Sequence, residues 1–203
     1  MDLFGIYKTD EELNKELVSQ INGLVYKEHF ITEAEERTLI DIIDKQPWLS
    51  DLKRRVQHYG YKYDYRARKI NQSFRIGELP NWSKPLCDRL LNQGVIDFRP
   101  DQIIINNYEP GEGIAMHVDC EPCFSDTIIS LSLASDIVMN IKSVNSNDKL
   151  GMLLQRRSLL VFSNDSRYLY EHGIASRKSD KFNGTKRNRE RRISLTFRKV
   201  ILE

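Results

Sequence analysis

Three side chains of the types that bind metal ions occur in a pattern that would bring them together. His117 and Asp119 are two residues apart in IAMHVD, so on a β-strand both would project from one face. His172 follows the apolar run SLLVFS, where a neighbouring strand would place it alongside them. Two imidazoles and one carboxylate leave open positions on a metal, as in non-haem iron(II) oxygenases, although hydrolytic zinc sites use the same donors. We therefore predict a catalytic metal site at His117, Asp119 and His172.

Two arginines near the end of the sequence have the chemistry to bind a small dicarboxylate. The alternation in RRISLTFRKV predicts a strand with one apolar, core-facing side. The residues on its other face are Arg192, Ser194, Thr196 and Arg198. Guanidinium groups bind carboxylates through paired hydrogen bonds and keep their charge, so Arg192 and Arg198 could hold the two ends of such a ligand. A solvated basic strand face would explain the same spacing.

The elements that must position these residues fall into two parts of the chain. Thr32 and Glu35 have capping-box spacing and predict a helix with Leu39, Ile42 and Ile43 on its buried side. The segment SKPLCDRLLN, followed by Gly94, predicts a second helix. From residue 101 onward, short β-branched runs separated by turn residues predict an all-β sandwich or barrel. The predicted fold class is therefore α+β.

Two segments carry weaker signals. Residues 1 to about 24 are polar and weakly patterned, and we expect them to form a lead-in. Residues 177–192, RKSDKFNGTKRNRERR, are half basic and poor in apolar side chains, which predicts a mobile loop between the last strands. This basic loop could follow phosphate groups.

Four motifs in one order and spacing resemble the AlkB family of iron(II)- and 2-oxoglutarate-dependent dioxygenases. They are NxY at Asn106 and Tyr108, HxD, the later His-Gly-Ile, and RxxxTFR, and together they span about residues 96–200. The resemblance implies a double-stranded β-helix (jelly roll) core, with the N-terminal helices packed on it. The closest local resemblance is to family members that hydroxylate modified wobble uridines in tRNA.

The resemblance also implies roles for individual residues. His117, Asp119 and His172 would bind Fe(II), and O2 would be the oxidant. The residues implied for 2-oxoglutarate are Asn106, Tyr108, Arg192, Ser194 and Arg198. Ser194 stands where the bacterial pattern RxNxTFR has Asn. Glu121 falls where a bacterial relative has an acidic residue that reads the base.

An aromatic and basic segment, HYGYKYDYRARKI, could contact a nucleic-acid substrate. Tyr59, Tyr61 and Tyr63 alternate with cationic residues that include Arg66, and such mixtures stack on an extruded base and hold its backbone. The same alternation fits a strand with a buried tyrosine face. In AlkB relatives the segment upstream of the core supplies a nucleotide-recognition lid. We therefore predict one domain over residues 1–203, with helices and lid in 1–95 and the catalytic core in 96–203.

The composition limits the cellular setting more than the substrate. Lys and Arg number 31 against 29 for Asp and Glu, so net charge says little about a nucleic-acid partner. Three cysteines are too few for a disulfide framework; we expect Cys120 and Cys123 to be incidental thiols in a reducing, cytoplasmic or nuclear setting. We find no secretory signal and no membrane-spanning stretch, and we expect a monomer without membrane association.

The leading functional prediction is oxidation of alkyl groups on nucleic-acid bases, by oxidative demethylation of the alkylation-repair type, on DNA or RNA. The first alternative is hydroxylation of a modified wobble base in tRNA. A protein or small-molecule substrate comes third, because a fold does not fix a function. A non-catalytic nucleic-acid-binding module would have no reason to keep all three metal ligands, and a hydrolytic zinc enzyme would not need the paired arginines.

Overall fold

The computed structural model describes residues 8–50 and 52–202. They form two large antiparallel sheets that pack face to face, a separate two-stranded sheet, and helices that cover one of the large sheets. The helices are α1 (Asp10–Gln20), α2 (Glu33–Asp44), α3 (Lys84–Asn92) and α4 (Asn164–Tyr168). The strands are β1 (Leu24–Lys27), β2 (Arg55–Tyr59), β3 (Gln102–Tyr108), β4 (Ile114–His117), β5 (Ile128–Leu133), β6 (Ile137–Ser143), β7 (Leu150–Leu154), β8 (Leu159–Phe162), β9 (Tyr170–Ile174), β10 (Ser179–Phe182), β11 (Thr185–Asn188) and β12 (Arg192–Arg198).

The two sheets have the arrangement of a double-stranded β-helix, which confirms the predicted fold class. The major sheet has the strand order β1-β8-β5-β12-β3-β2, and the minor sheet has the order β4-β9-β6-β7. One core lies between them and includes Ile128 and Phe162 from the major sheet and Ile141 and Ile174 from the minor sheet. A cavity adjoins this core and is lined by residues of both sheets.

The outer face of the major sheet is covered by α2 and α3. Ile43 and Leu90, both fully buried, pack with Ile105 and Leu195 of the sheet in a second core. The capping box predicted at Thr32 is present, because the Thr32 hydroxyl accepts from the Glu35 amide while the Glu35 carboxylate accepts from the Thr32 amide. These two helices confirm the helical part of the prediction.

The structure corrects two predictions about the basic and polar segments. Part of the expected lead-in is α1, which begins at a second capping box formed by Thr9 and Glu12; the lead-in's residues 1–7 lie outside the described residues. The expected mobile loop at 177–192 is the β10–β11 hairpin, followed by the first residue of β12. Arg189 anchors this hairpin by donating to both carboxylate oxygens of Asp180 at 2.8 Å.

Segments upstream of the predicted core contribute strands as well as helices. β1 pairs with β8 at one edge of the major sheet, and β2 pairs with β3 at the other edge. No helix among the described residues combines the length and the apolarity needed to cross a membrane.

Candidate functional site

The three predicted metal ligands meet where β4 pairs with β9. His117 lies directly opposite His172 in the strand register, and their ring centroids are 4.5 Å apart. Asp119 follows β4 and brings its Oδ2 to 3.5 Å from Nε2 of His172. One ligand atom from each residue lies within 4.8 Å of the others, so the three could hold one metal ion.

The surroundings keep each ligand in the state that metal binding requires. Nδ1 of His117 lies 2.8 Å from the Ala115 carbonyl; since a carbonyl only accepts, Nδ1 carries the proton and Nε2 is free to bind. Burial lowers the pKa of His172 to about 3, so its imidazole is neutral. Burial opposes ionisation of Asp119, but the positive charge of Arg198 holds its pKa well below the usual range. The donor set therefore fits Fe(II).

The predicted co-substrate residues line a cavity of about 370 Å³ beside the metal ligands. β12 lies in the middle of the major sheet, with Arg192 opposite Tyr108 and Ser194 opposite Asn106 on β3. All four side chains, together with Arg198, line the cavity. Each of these positions remains a prediction for 2-oxoglutarate binding.

Two buried guanidinium groups support a dicarboxylate ligand in this cavity. Arg192 is 1% exposed, and its one hydrogen bond within the described residues runs from Nη2 to the Ser132 hydroxyl at 2.8 Å. Arg198 donates from Nη2 to Asp119 Oδ1 at 2.6 Å, next to the metal ligands. The Nε atoms of both arginines are buried and have no partner among the described residues. Since unpaired buried donors are costly, a bound carboxylate would stabilise this arrangement.

Sequence reasoning missed Arg167, which fixes the loop that carries Asp119. Its buried side chain donates to the carbonyl groups of Asp119, Cys120, Phe124 and Ser125, at 3.0 to 3.5 Å. The expected free thiols in this loop are also corrected, because a disulfide joins Cys120 and Cys123. The CxxC motif was visible in the sequence. The contact between Arg167 and this loop was not, because the two are far apart in the sequence and meet only in the folded chain.

Of the five predicted substrate-binding residues, the structure brings one to the cavity. Tyr63 lines the cavity, whereas Tyr59 packs edge-on against Trp82, with a centroid distance of 5.5 Å. Tyr61 is buried outside the cavity lining. Arg66 and Glu121 are exposed, and neither lines the cavity.

Tyr65 and Arg68, from the predicted aromatic and basic segment, and Arg54, which sequence reasoning missed, complete the cavity wall near Tyr63. Tyr65 packs edge-on against Tyr63, with ring centroids 5.1 Å apart. Arg54 and Arg68 line the same wall. Aromatic and cationic groups therefore do meet at this cavity, but Tyr59, Tyr61 and Arg66 are not among them.

Comparisons with known proteins agree with this geometry. The family model of the 2OG-Fe(II) oxygenase superfamily matches residues 42–198. Uncharacterized protein L905 of Acanthamoeba polyphaga mimivirus is 37% identical over 90% of this chain and 87% of its own length.

Two further comparisons are with AlkB proteins. The tRNA (carboxymethyluridine(34)-5-O)-methyltransferase alkbh8 of Xenopus tropicalis is 38% identical over 88% of this chain, which spans only 32% of that protein. The solved structure of OsALKBH1 superimposes with a TM-score of 0.67 at 18% identity, over 87% of this chain and 96% of that one. The chain thus belongs to the 2OG-Fe(II) oxygenase superfamily and to its AlkB family, and it is a dioxygenase that uses Fe(II), 2-oxoglutarate and O2.

Proposed function

We propose that this dioxygenase oxidises an alkyl group on a nucleic-acid base that has been extruded into the cavity. The observation that carries the proposal is one cavity lined by the metal ligands, by Arg192, whose Nε has no partner among the described residues, and by an aromatic wall of Tyr63 and Tyr65. Aromatic rings stack on flipped bases. The metal and co-substrate would supply the oxidising equivalent, while His117, Asp119 and His172 hold the metal.

Segment 52–68 supports the proposed nucleotide-recognition lid in the first 95 residues. Leu52, Arg54, Tyr63, Tyr65 and Arg68 from this segment all line the cavity, and Arg68 donates to the Val118 carbonyl, between the metal ligands His117 and Asp119. The remainder of the N-terminal region forms helices and edge strands. The lid is therefore a short part of this region.

A succinate assay after anaerobic loading with Fe(II) tests the function. We expect 2-oxoglutarate turnover to rise on addition of oligonucleotides that contain an oxidisable base, with His117→Ala as the inactive control. Formaldehyde released in step with succinate would establish demethylation. No stimulation by any base would overturn the proposal.

Stable hydroxylation of a tRNA base is the second candidate. The similarity to a frog protein whose name specifies a carboxymethyluridine of tRNA favours it. In the same assay it predicts succinate without formaldehyde, and a base whose mass rises by one oxygen atom.

The setting of the enzyme stays a prediction. We propose a monomer in the cytoplasm, or in the nucleus of a eukaryotic cell. Size-exclusion chromatography with light scattering tests the first statement, and microscopy of the tagged chain tests the second.

A further inference from the structure

The cavity contains far more positive than negative charge. Four arginines line it, namely Arg54, Arg68, Arg192 and Arg198, and the one acidic residue among the described lining residues is Asp119. A divalent metal ion and a dicarboxylate would cancel each other's charge. The loaded cavity would therefore keep a surplus of three positive charges, of which the one on the exposed Arg68 is screened by solvent.

Two members of this set, Arg54 and Arg68, have no assigned role, and Arg54 is the less exposed of the two. Its Nε donates to Oδ1 of Asn106 at 2.8 Å, and its guanidinium carbon lies 5.9 Å from the ring centroids of both Tyr65 and Tyr108. It forms no ion pair and no other hydrogen bond with the residues that the structure describes. The two terminal nitrogens of this half-buried cation are therefore available to a ligand.

This electrostatic environment selects between classes of substrate base. Bases such as 1-methyladenine and 3-methylcytosine are cations near neutral pH, and the surplus positive charge would repel them. The acidic residue that could have offset a cationic base, Glu121, is exposed and does not line the cavity. A neutral or anionic base with carbonyl or carboxylate oxygens would instead accept hydrogen bonds from Arg54.

We infer that Arg54 is a specificity-determining residue, which selects an uncharged or anionic, carbonyl-bearing base over a cationic one. This inference rests on the proposed function, because it concerns the base that enters the same cavity. Tyr65, whose buried hydroxyl lacks a partner within the described residues, adds a second donor beside Arg54.

A matched pair of substrates isolates charge from shape. RNA oligonucleotides of one sequence would contain either 3-methylcytosine or 3-methyluracil, which place a methyl group on the same ring atom but differ in charge. We expect kcat/KM, measured by formaldehyde release, to be at least about 10-fold higher for 3-methyluracil. A third oligonucleotide with 5-carboxymethyluracil tests an anionic base, with its oxidation measured by mass.

Substitution of Arg54 assigns the selectivity to that residue. Arg54→Gln should lower kcat/KM for 3-methyluracil about 10-fold or more and narrow its advantage over 3-methylcytosine, whereas Arg54→Lys should keep the advantage. Arg55→Gln is the control, because its neighbouring guanidinium lies over Trp48, outside the cavity lining. Circular dichroism verifies that each variant is folded.

The outcomes separate this inference from the proposed function. Preference for 3-methylcytosine by the unmodified enzyme, or an equal loss on both bases in Arg54→Gln together with a raised KM for 2-oxoglutarate, would overturn the inference and leave the proposed function standing. Failure to oxidise any base would overturn both. A charge preference that disappears in Arg54→Gln and persists in Arg55→Gln would support the inference.

Discussion

Arg192 is a buried cation whose one hydrogen-bonding partner among the described residues is the Ser132 hydroxyl. Burial lowers its pKa to about 10, so it stays charged at neutral pH. Arg192→Ala should raise KM for 2-oxoglutarate by roughly 10- to 100-fold, because a charge-assisted hydrogen bond contributes about 1.5–3 kcal/mol. Succinate formation measured against 2-oxoglutarate concentration gives this value.

The adjacent Arg191 provides the control for this prediction. Its guanidinium pairs with Asp44 and Asn107 outside the cavity lining, so Arg191→Ala should leave KM for 2-oxoglutarate unchanged. An unchanged KM in Arg192→Ala would remove Arg192 from the co-substrate site.

Arg167 acts on the metal through the loop of Asp119 rather than by direct contact. Arg167→Lys keeps the charge but cannot reach four carbonyl groups at once, so Asp119 should be held less firmly and Fe(II) affinity should fall by roughly 10-fold. Anaerobic titration of Fe(II) measures the affinity. Arg157→Lys is the matched control, because Arg157 is also largely buried but pairs with Glu33 and Glu36.

A loss of thermal stability in Arg167→Lys with unchanged Fe(II) affinity would show that Arg167 is purely structural. The expected result is a change in both quantities for Arg167→Lys. For Arg157→Lys we expect a change in stability alone.

Regular spacing explains which site residues could be predicted from sequence. Arg192 and Arg198 lie on one face of β12, as the two-residue period of a strand predicts. His117 and Asp119 have the same two-residue spacing, although Asp119 lies just after the end of β4. Arg54 lies just before β2, and Arg68 itself has a left-handed backbone conformation, with a φ of 49°. Their approach to the cavity depends on tertiary folding, which no period in the sequence encodes.

The β10–β11 hairpin shows how composition misled the prediction at the level of an element. A basic, apolar-poor segment is usually mobile, but Asn183 and Gly184 both have positive φ and form the tight turn that Asn-Gly favours in hairpins. The inward face is held by Phe182 and by the buried pair of Asp180 and Arg189. The Asn-Gly signal was present in the sequence, whereas the pairing of Asp180 with Arg189 required the structure.

The outward face of this hairpin places Lys181 directly opposite Lys186. Like charges in opposite positions destabilise a sheet, so binding of phosphate would explain them better than stability does. Lys181→Ala/Lys186→Ala should weaken RNA binding and reduce the slope of log affinity against log salt by up to about 2. Fluorescence anisotropy at several salt concentrations measures both.

The melting temperature of this double variant should not fall, because the change removes a repulsive pair. Lys15→Ala/Lys142→Ala is the control, since those lysines pair with Glu11 and Glu171. Equal losses of RNA affinity in the two double variants would point to general charge and contradict a hairpin site.

The boundary between the N-terminal region and the catalytic core is the feature that was hardest to predict from the sequence. The division into a helical region over 1–95 and a core over 96–203 follows the change in texture near residue 101, but the major sheet crosses that boundary. β1 and β2 are too short to give a distinct strand pattern, at four and five residues. Their identity as edge strands depends on pairing with β8 and β3, which are far away in sequence.

The whole-molecule consequence is that a fragment of residues 96–203 should not fold by itself. It would expose the backbone edges of β8 and β3 and uncover the apolar face that Ile43 and Leu90 bury. We expect aggregation, or a molten state that binds 8-anilinonaphthalene-1-sulfonate and lacks a cooperative thermal transition. The full chain, run in parallel, should melt cooperatively. A monomeric fragment with a sharp transition and Fe(II) affinity equal to that of the full chain would show that the catalytic core is independent, and that the first 95 residues serve substrate recognition alone.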